Sequence, residues 1–313
     1  MPDIVVMFFL LGLLAGVVKS DLTIPKAAYD TLSLLLMLTI GLKGGMALYG
    51  NLGWSLVPEL LAVAALGALI PLALMPILRR LIRLSPADSA SIAAHYGSVS
   101  AGTFAVALAF AEGRNLPIGA EVTLYLVMME LPAIMVAIAL YRRHAGKAAG
   151  EAMQGIWHET LTNRGVILLA GGAVIGAMYG PQEGANVTEL FTSAFHAVLA
   201  LFLLQMGLTA AETLRPIPWF HWRLLTFALV APLVLSLAGL AVGLALGLPT
   251  GSLLILTALA ASASYIAAPA AMRTAIPQAN IGLAMLAALG FTFPLNVIIG
   301  IPLYHQLIQW LAG

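Results

Sequence analysis

Two stretches of this chain place small residues and hydroxyl side chains in the middle of an apolar run. The first is Ser89–Arg114, whose centre reads Gly97-Ser98-Val99-Ser100-Ala101-Gly102-Thr103. Glycine is costly inside a helix, and serine and threonine offer the backbone alternative hydrogen bonds. The pattern therefore predicts an apolar helix that breaks at this centre.

The second stretch, Thr257–Arg273, reads TALAASASYIAAPAAMR. Its Ser262 and Ser264 correspond to the two serines of the first stretch, and we expect Pro269 to mark a second break. Unwound backbone at membrane depth is tolerated only where it is buried in protein or lines a wet cavity. Small residues also let helices pack closely, but matching breaks in two halves of a chain favour a transporter's binding site.

Hydroxyl groups at the breaks can donate and accept hydrogen bonds. Where each helix restarts, its first N–H groups lack partners and carry partial positive charge, which suits a small anion. The carbonyl groups freed before each break suit sodium. A bound sodium ion and a bound anion would cancel each other's charge, which lowers the desolvation cost of moving them across the membrane. The predicted anion-binding residues are Gly97, Ser98, Val99, Ser100, Ala101, Gly102, Thr103, Ser262, Ala263 and Ser264.

Glu130 lies deep in the predicted fifth span, two residues before Pro132. An ionisable group at that depth is a functional candidate by default, either as a sodium ligand or as a proton carrier. The alternative is a packed acid that is paired to a neighbour. Thr292 and Asn296 would add neutral oxygens from the last span, although structural capping also explains them. The candidate sodium ligands are Glu130, Thr292, Asn296, Ser264 and Tyr265.

The composition is that of a polytopic membrane protein. The 313 residues are 61% hydrophobic and 9% charged, whereas soluble domains carry about 25% charged residues. The absence of cysteine excludes a disulfide framework and a thiol metal site, and the net charge of +1 gives no reason to expect nucleic acid. Neither a nucleophile–base pattern nor a glycine-rich phosphate loop is present, so we expect no enzyme, no ATP-driven pump and no cofactor.

Apolar runs of about 17–25 residues predict about ten membrane spans. Because Asp3 lies at the start and no basic segment precedes the first run, we expect a first span rather than a signal peptide. The predicted spans are Ile4–Val18, Ala27–Tyr49, Leu56–Leu81, Ser89–Glu112, Ile118–Tyr141, Val166–Tyr179, Val187–Leu208, Leu224–Leu248, Ser252–Ala275 and Ile281–Leu311.

Twelve of the 14 lysines and arginines fall on one side of this arrangement. The positive-inside rule makes that side cytoplasmic, with both termini periplasmic. Lys43 and Arg114 fall on the other side, where Lys43 is expected to extend its ammonium group to water. The cytoplasmic set is Lys19, Lys26, Arg79, Arg80, Arg83, Arg142, Arg143, Lys147, Arg164, Arg215, Arg223 and Arg273.

The two halves of the chain repeat several motifs in the same order. Gly12-x-x-x-Gly16 matches Gly172-x-x-x-Gly176, the segment from Ile40 matches that from Met206, and Glu130-Leu131-Pro132 matches Thr292-Phe293-Pro294. Because each half holds an odd number of spans, the second half enters from the opposite side. We predict an inverted repeat of residues 1–143 and 164–313, joined by a cytoplasmic linker at 144–163.

These residues resemble the sodium-dependent bicarbonate transporters known from cyanobacteria and other bacteria. The resemblance is carried by IGLKGGMAL from Ile40, GSVSAGTFAVALAFAE from Gly97, MELPAI from Met129, AASASYIAAPAAMRTAIPQAN from Ala260 and IGIPLY ending at Tyr304. It implies an all-α fold of ten transmembrane helices in two inverted five-helix repeats, with broken, crossing fourth and ninth helices. It also implies a core domain that slides against a gate domain, homotrimers, and sodium-coupled uptake of bicarbonate.

Three departures from that family matter. Tyr265 stands where the family's second break has an acid, and Ala263 replaces a hydroxyl. Glu130 stands where the cyanobacterial members have aspartate. The Arg142–Asn163 segment is shorter than theirs, which weakens the expectation of the PII-like regulator that binds the cytoplasmic face of some members.

We therefore expect a secondary transporter of the bacterial cytoplasmic membrane, with bicarbonate and sodium as its substrates. Three alternatives remain: transport of another small monovalent anion, cation/proton exchange with Glu130 as carrier, and a membrane sensor that binds an anion without moving it.

Overall fold

The computed structural model describes residues 3–145, 162–214 and 221–312, which contain helices and no strand. The helices are α1 (Ile4–Val17), α2 (Lys26–Leu48), α3 (Leu56–Ile77, extended by a π-helical turn at Leu78–Ile82), α4 (Pro86–Gly97), α5 (Ala101–Gly113), α6 (Val122–Ala145), α7 (Arg164–Glu183), α8 (Ala185–Thr213), α9 (Trp222–Ala245), α10 (Thr250–Ala260), α11 (Ala267–Ala275) and the composite α12 (Ile281–Leu311).

Eight helical stretches of the described residues are long and apolar enough to cross a membrane. The pair α4 and α5 counts as one of them, Pro86–Gly113. The apolar helices α1 and α10 are shorter, at 14 and 11 residues, and correspond to the predicted first span and the first part of the predicted ninth. The chain is thus an all-helical polytopic membrane protein.

Both predicted breaks are present in the helical pattern. The first lies between α4 and α5, where residues 98–100 are not helical. The second lies between α10 and α11, ahead of the position that we expected from Pro269. Pro269 instead occupies the first turn of α11, where a missing N–H costs nothing because the first turn has no intrahelical acceptor for it.

The broken pair α4–α5 lies at the centre of the protein. Within an apolar stretch of 18 consecutive residues in this pair, 94% are buried, compared with 33% in the corresponding stretches of α7 and of α8. Helices α3 and α6 pack against each other and flank α4, while α10 packs against α5 and α9. The break is therefore enclosed by protein rather than by lipid, which is the condition for irregular backbone at membrane depth.

Glycines allow two pairs of helices to approach closely. In α1, Gly12 and Gly16 lie against Leu204 and Ala211 of α8. In α2, Gly41 lies against Leu169 of α7 at the corresponding place. Membrane helices lack a hydrophobic driving force for association, so backbone contact over small residues supplies much of their packing.

Helix α12 changes its winding twice around Pro294. Wider π-helical turns occupy Leu286–Thr292 and Asn296–Gly300, and Phe293–Leu295 lies between them. Proline cannot donate to the helical ladder, and its ring crowds the preceding turn, so the hydrogen bonds shift around it. Such π-bulges re-aim side chains and are frequent at functional sites.

Lys43 has a partner that the sequence did not suggest. Its Nζ lies 2.6 Å from Glu112 Oε1 of α5 and 4.5 Å from the ring centroid of Phe195 in α8. The ammonium group is therefore paired with a carboxylate, and the side chain of Lys43 joins three helices. Residues 146–161 of the predicted linker lie outside the described residues.

Substitution of neighbouring glycines in α7 tests the close packing of α2 and α7. In Gly172→Ala the new methyl group would lie 2.9 Å from the carbonyl oxygen of Leu38 and 3.0 Å from the nitrogen of Leu42. Because backbone atoms cannot move aside alone, we expect a loss of about 1–3 kcal/mol and a lower Tm in detergent.

The matched control is Gly171→Ala, since no atom lies within 4 Å of a methyl group at that position. Alanine favours the helix there by about 1 kcal/mol, so Tm should stay or rise. Equal Tm values for the two variants would contradict the role assigned to this contact.

Candidate functional site

The two breaks contact each other directly through hydrogen bonds. The backbone N–H of Ser264 donates to the carbonyl oxygen of His95 at 2.7 Å. The backbone N–H of Ser100 donates to Ser262 Oγ at 2.9 Å. Ser100 and Ser264 also line a small cavity beside these bonds. Each break therefore satisfies backbone groups that the other leaves free.

At the first break, the chain leaves the helical conformation at Ser98, with φ −74° and ψ 166°. It re-enters a helix after Ser100, whose Oγ accepts from the N–H of Thr103 at 3.1 Å. A serine at this position satisfies one of the N–H groups that a helix start leaves without a partner. Ser100 is thus the N-cap of α5, which explains a hydroxyl at that place.

At the second break, three side-chain bonds hold the backbone. Ser262 Oγ donates to the carbonyl of Leu259 at 2.8 Å, and Ser264 Oγ accepts from the N–H of Ala268 at 3.2 Å. The amide of Asn296 donates to the carbonyl of Ala261 at 2.8 Å. The break is therefore capped on both sides, by its own serines and by a residue of α12.

Two of the predicted anion-binding hydroxyls have no hydrogen-bond partner among the described residues. Ser98 Oγ and Thr103 Oγ1 both belong to fully buried residues. A buried polar atom without a partner costs about 1–3 kcal/mol, and native structures contain few of them. Among the hydroxyl groups of the predicted anion site, these two, one in the break and one in the first turn of α5, are free to bind an additional group.

The remaining residues of the predicted anion site shape the breaks by their size. A methyl group on Gly97 would crowd Pro71 and Ala133, and one on Gly102 would overlap the hydroxyl of Tyr265. The other small or apolar members are Val99 and Ala263, which are buried, and Ala101, which is half-buried. They supply backbone and close packing rather than polar side chains.

A small cavity of about 20 Å³ adjoins the breaks. A space of that size accommodates about one water molecule. Its polar lining comes from Ser100, Glu130, Asn163, Ser264 and Tyr265. The structure thus brings three of the five candidate sodium ligands to one place, next to the predicted anion site.

The Glu130 carboxylate is the only acidic group among the described residues that line this cavity. Glu130 is 8% exposed, and its Oε1 atom is buried without a hydrogen-bond partner in the described part of the chain. A carboxylate in such surroundings is costly unless a cation, a proton or a donor meets it. The sequence left open either a functional acid or a packed acid that is paired to a neighbour. The Oε1 atom has no such neighbour among the described residues, so the packed acid finds no support there.

Tyr265 closes the space between the second break and α5. Its ring packs edge-on against Phe293 with the centroids 5.4 Å apart, and its hydroxyl lies against Gly102 in the first turn of α5. The phenol therefore occupies the start of a helix, where the N–H groups favour an oxygen atom.

The other two candidate sodium ligands are held elsewhere by structural bonds. Asn296 donates to Ala261 and accepts from the hydroxyl of Tyr304 at 2.8 Å. Thr292 Oγ1 donates to the carbonyl of Ala228 at 2.8 Å, so the hydroxyl of Tyr96, 2.6 Å away, must be its donor. Neither residue lines the cavity, and both serve the capping and bridging that the sequence left as an alternative.

Sequence reasoning missed two contributors to the site. His95 contributes its backbone carbonyl, an acceptor that every residue type carries, so no signal marks it. Asn163 lines the cavity and also caps α7, with Oδ1 accepting from the N–H of Gly165 at 2.9 Å. An asparagine directly before an apolar run is a typical N-cap, and that signal was available.

Asn296→Ala tests whether Asn296 holds the second break. The substitution removes the side-chain donor to the carbonyl of Ala261 and one partner of the Tyr304 hydroxyl, so we expect a loss of about 1–3 kcal/mol and a lower Tm in detergent. Asn51→Ala is the control, because Asn51 also donates to a carbonyl, that of Ala47 at 2.9 Å, but does so in an exposed loop. A Tm for Asn296→Ala that matches the Asn51→Ala value would contradict the capping role.

The family assignment agrees with this arrangement of helices and breaks. No curated protein matches the chain. A family model described as the Na+-dependent bicarbonate transporter superfamily matches residues 4–309, nearly the whole chain. Together with the membrane-spanning helices, that match makes the protein a multi-pass membrane transporter, and the chain belongs to the Na+-dependent bicarbonate transporter superfamily.

Proposed function

We propose that the protein is a secondary active transporter that takes up bicarbonate together with sodium. The observation that carries the proposal is the junction of the two breaks. There, buried hydroxyls without partners, the start of α5 and an acidic cavity lie within one enclosed region. A site that holds an anion and a cation together moves no net charge through the protein interior, which lowers the desolvation cost of each ion.

The anion is assigned to the start of α5. Bicarbonate presents a delocalised negative charge and one O–H group, so it needs donors and at least one acceptor. The hydroxyls of Ser98 and Thr103 can act as either, and the first N–H groups of α5 supply positive potential. Ser100, Ser262 and Ser264 hold the backbone in place, since their side chains already cap or bridge the breaks.

Sodium is assigned to the cavity beside Glu130. The carboxylate would supply the negative charge, and the oxygens of Ser264 and Tyr265 would complete the shell together with carbonyl groups of the second break. Tyr265 is a neutral oxygen ligand in place of the family's acid, so Glu130 carries the whole negative charge of this arrangement. Thr292 and Asn296 then act indirectly, by fixing the second break and the π-helical turns of α12.

The architecture that we propose is ten membrane-spanning helices in two inverted five-helix repeats, with the broken fourth and ninth helices crossing at the site. Its support is the pair of equivalent glycine contacts, α1 with α8 and α2 with α7, which relate the two halves of the chain. In an elevator-like mechanism these four helices form the gate, and the broken helices move as part of the core.

The cellular setting follows from the family resemblance and the charge asymmetry. We propose a homotrimer in the bacterial cytoplasmic membrane with both termini in the periplasm. A PII-like regulator would bind the cytoplasmic face, where residues 142–163 join the two repeats.

The unpartnered Oε1 atom of Glu130 also favours a second candidate function, cation/proton exchange. A buried carboxylate that lacks a donor is satisfied either by a cation or by its own proton. In an exchanger the two would alternate on Glu130, and no anion would be transported.

Ser98→Ala tests the anion site. If Ser98 bonds bicarbonate, its removal leaves the buried anion one partner short, and binding should weaken by about 1–3 kcal/mol. The measurement is uptake of labelled bicarbonate into proteoliposomes as a function of bicarbonate concentration, under a sodium gradient.

Ser89→Ala is the control for Ser98→Ala. Ser89 is also fully buried in α4, and its hydroxyl also lacks a partner among the described residues, but it lies near the start of the helix, far from the break. An unchanged apparent affinity in Ser98→Ala would place the anion elsewhere.

Glu130→Gln tests the coupling. Glutamine keeps the size and hydrogen bonding but removes the charge, and contacts to charged groups are worth about 1.5–3 kcal/mol. The sodium concentration for half-maximal uptake should rise about tenfold or more, while the preference for bicarbonate over other anions stays the same.

Glu121→Gln is the matched control, because Glu121 is also 8% exposed but does not line the cavity. Superimposable sodium curves for Glu130→Gln and the unaltered protein would make Glu130 a structural acid. Cation-driven pH changes that persist without bicarbonate would instead establish the exchanger.

A further inference from the structure

A second and larger recess lies between the end of α3 and the start of α9. It is a half-open groove of about 520 Å³ that shares no residue with the cavity at the breaks. Its apolar wall includes Leu74, Val230, Val234 and Leu235, and three arginines, Arg80, Arg83 and Arg223, stand at one end. The groove is therefore amphipathic along its length.

The groove runs along α9, one of the helices that are long and apolar enough to cross a membrane. From Arg223 to Leu235 helix α9 rises about 18 Å, at 1.5 Å per residue. Trp222, at the same end as the arginines, is 59% exposed, which is typical of a tryptophan at the membrane–water interface. The charged end thus lies at headgroup level, and the apolar wall extends into the hydrocarbon region.

The three arginines form no ion pair within the described part of the chain. The ion pairs there are Lys43 with Glu112 and Arg164 with Asp30. Arg80 and Arg83 are exposed, and Arg223 lies 5.5 Å from the ring centroid of Trp222. Three arginines at the end of an apolar groove, without an ion pair among the described residues, call for an anionic partner.

The backbone holds the arginines at this end. Arg80 lies on the π-helical turn Leu78–Ile82, and Arg83 follows that turn with a left-handed φ of 67°. The N–H of Leu84 returns to the carbonyl of Leu78 at 3.1 Å and closes the turn. The wider turn and the left-handed residue direct the chain so that both arginines line the groove.

We propose that this groove binds an anionic phospholipid of the cytoplasmic leaflet. The headgroup phosphate is held by Arg80, Arg83 and Arg223, and one acyl chain lies along the wall formed by α9 and the end of α3. Arginine suits phosphate because its planar guanidinium donates two parallel hydrogen bonds. The apolar wall excludes a soluble anion as the full occupant, since a free phosphate would leave that wall uncovered.

The test uses the purified full-length protein in detergent and native mass spectrometry. Phosphatidylglycerol and phosphatidylcholine are titrated separately, and the retained lipid is counted. We expect preferential retention of phosphatidylglycerol, reduced on the order of tenfold or more in R80Q/R83Q/R223Q, since each basic residue near a bilayer surface adds to the attraction for anionic lipid. The charge-matched control is K26Q/R79Q/R273Q, three exposed or half-buried basic residues that do not line the groove.

A second variant separates the acyl chain from the headgroup. V234W fills the apolar wall without changing charge, and Val234 is 58% exposed, so the larger side chain is tolerated. V174W is its control, because Val174 in α7 is also 58% exposed but lies outside the groove. We expect V234W, and not V174W, to lose the retained phosphatidylglycerol.

Three results would overturn the proposal. If the unaltered protein retains the two lipids equally, or if the two triple variants retain phosphatidylglycerol equally, the arginines do not select the lipid. Displacement of the lipid by glycerol 3-phosphate, with V234W behaving as the unaltered protein, would mean a site for a soluble anion. A change of oligomeric state in V234W alone would mean that a second copy of the chain covers the groove.

Discussion

Backbone hydrogen bonding at membrane depth is the constraint on which the rest of the structure depends. A helix that breaks inside the bilayer exposes N–H and C=O groups that lipid cannot satisfy, at a cost of several kcal/mol each. The two breaks solve this problem by contact, since Ser264 donates to the carbonyl of His95 and Ser100 donates to Ser262. Because each break depends on the other, the helices around them must hold the two breaks in contact.

The local part of this arrangement was predictable from the sequence, and the long-range part was not. Clusters of glycine, serine and alanine inside apolar runs mark a break because the signal lies in consecutive residues, and the structure has both breaks, although the second precedes Pro269. The groups that form hydrogen bonds with the second break lie far from it in the sequence. The carbonyl of His95 has no side-chain signature, and Asn296 reaches the break because π-helical turns around Pro294 alter the face on which it lies. Pro294 marks a disturbance of the helix, but a proline alone does not indicate how far the π-helical turns extend on either side of it.

The difference between local and long-range signals also explains why some candidate sodium ligands line the cavity and others do not. Glu130 was identified because an ionisable group at that depth is a functional candidate by default, and it does line the cavity beside the breaks. Thr292 and Asn296 were identified by sequence equivalence alone, and their polar atoms are engaged in bonds that hold helices together. Glu130 thus has a buried oxygen without a partner among the described residues, whereas Asn296 carries bonds that fix the second break.

The ion pair of Lys43 and Glu112 bears on how the helices move. It joins α2 to α5, that is, a helix of the proposed gate to one of the broken helices, and its side chains are 22% and 28% exposed. If the core slides against the gate, this pair must separate. Because the two side chains are mostly buried, their separation would leave two charges that need new partners. The glycine contacts, in contrast, lie within the proposed gate, between α1 and α8 and between α2 and α7. In the proposed mechanism, tight backbone packing would keep these four helices together as one rigid group, and the Lys43–Glu112 pair at their boundary would be a contact that a sliding core has to break.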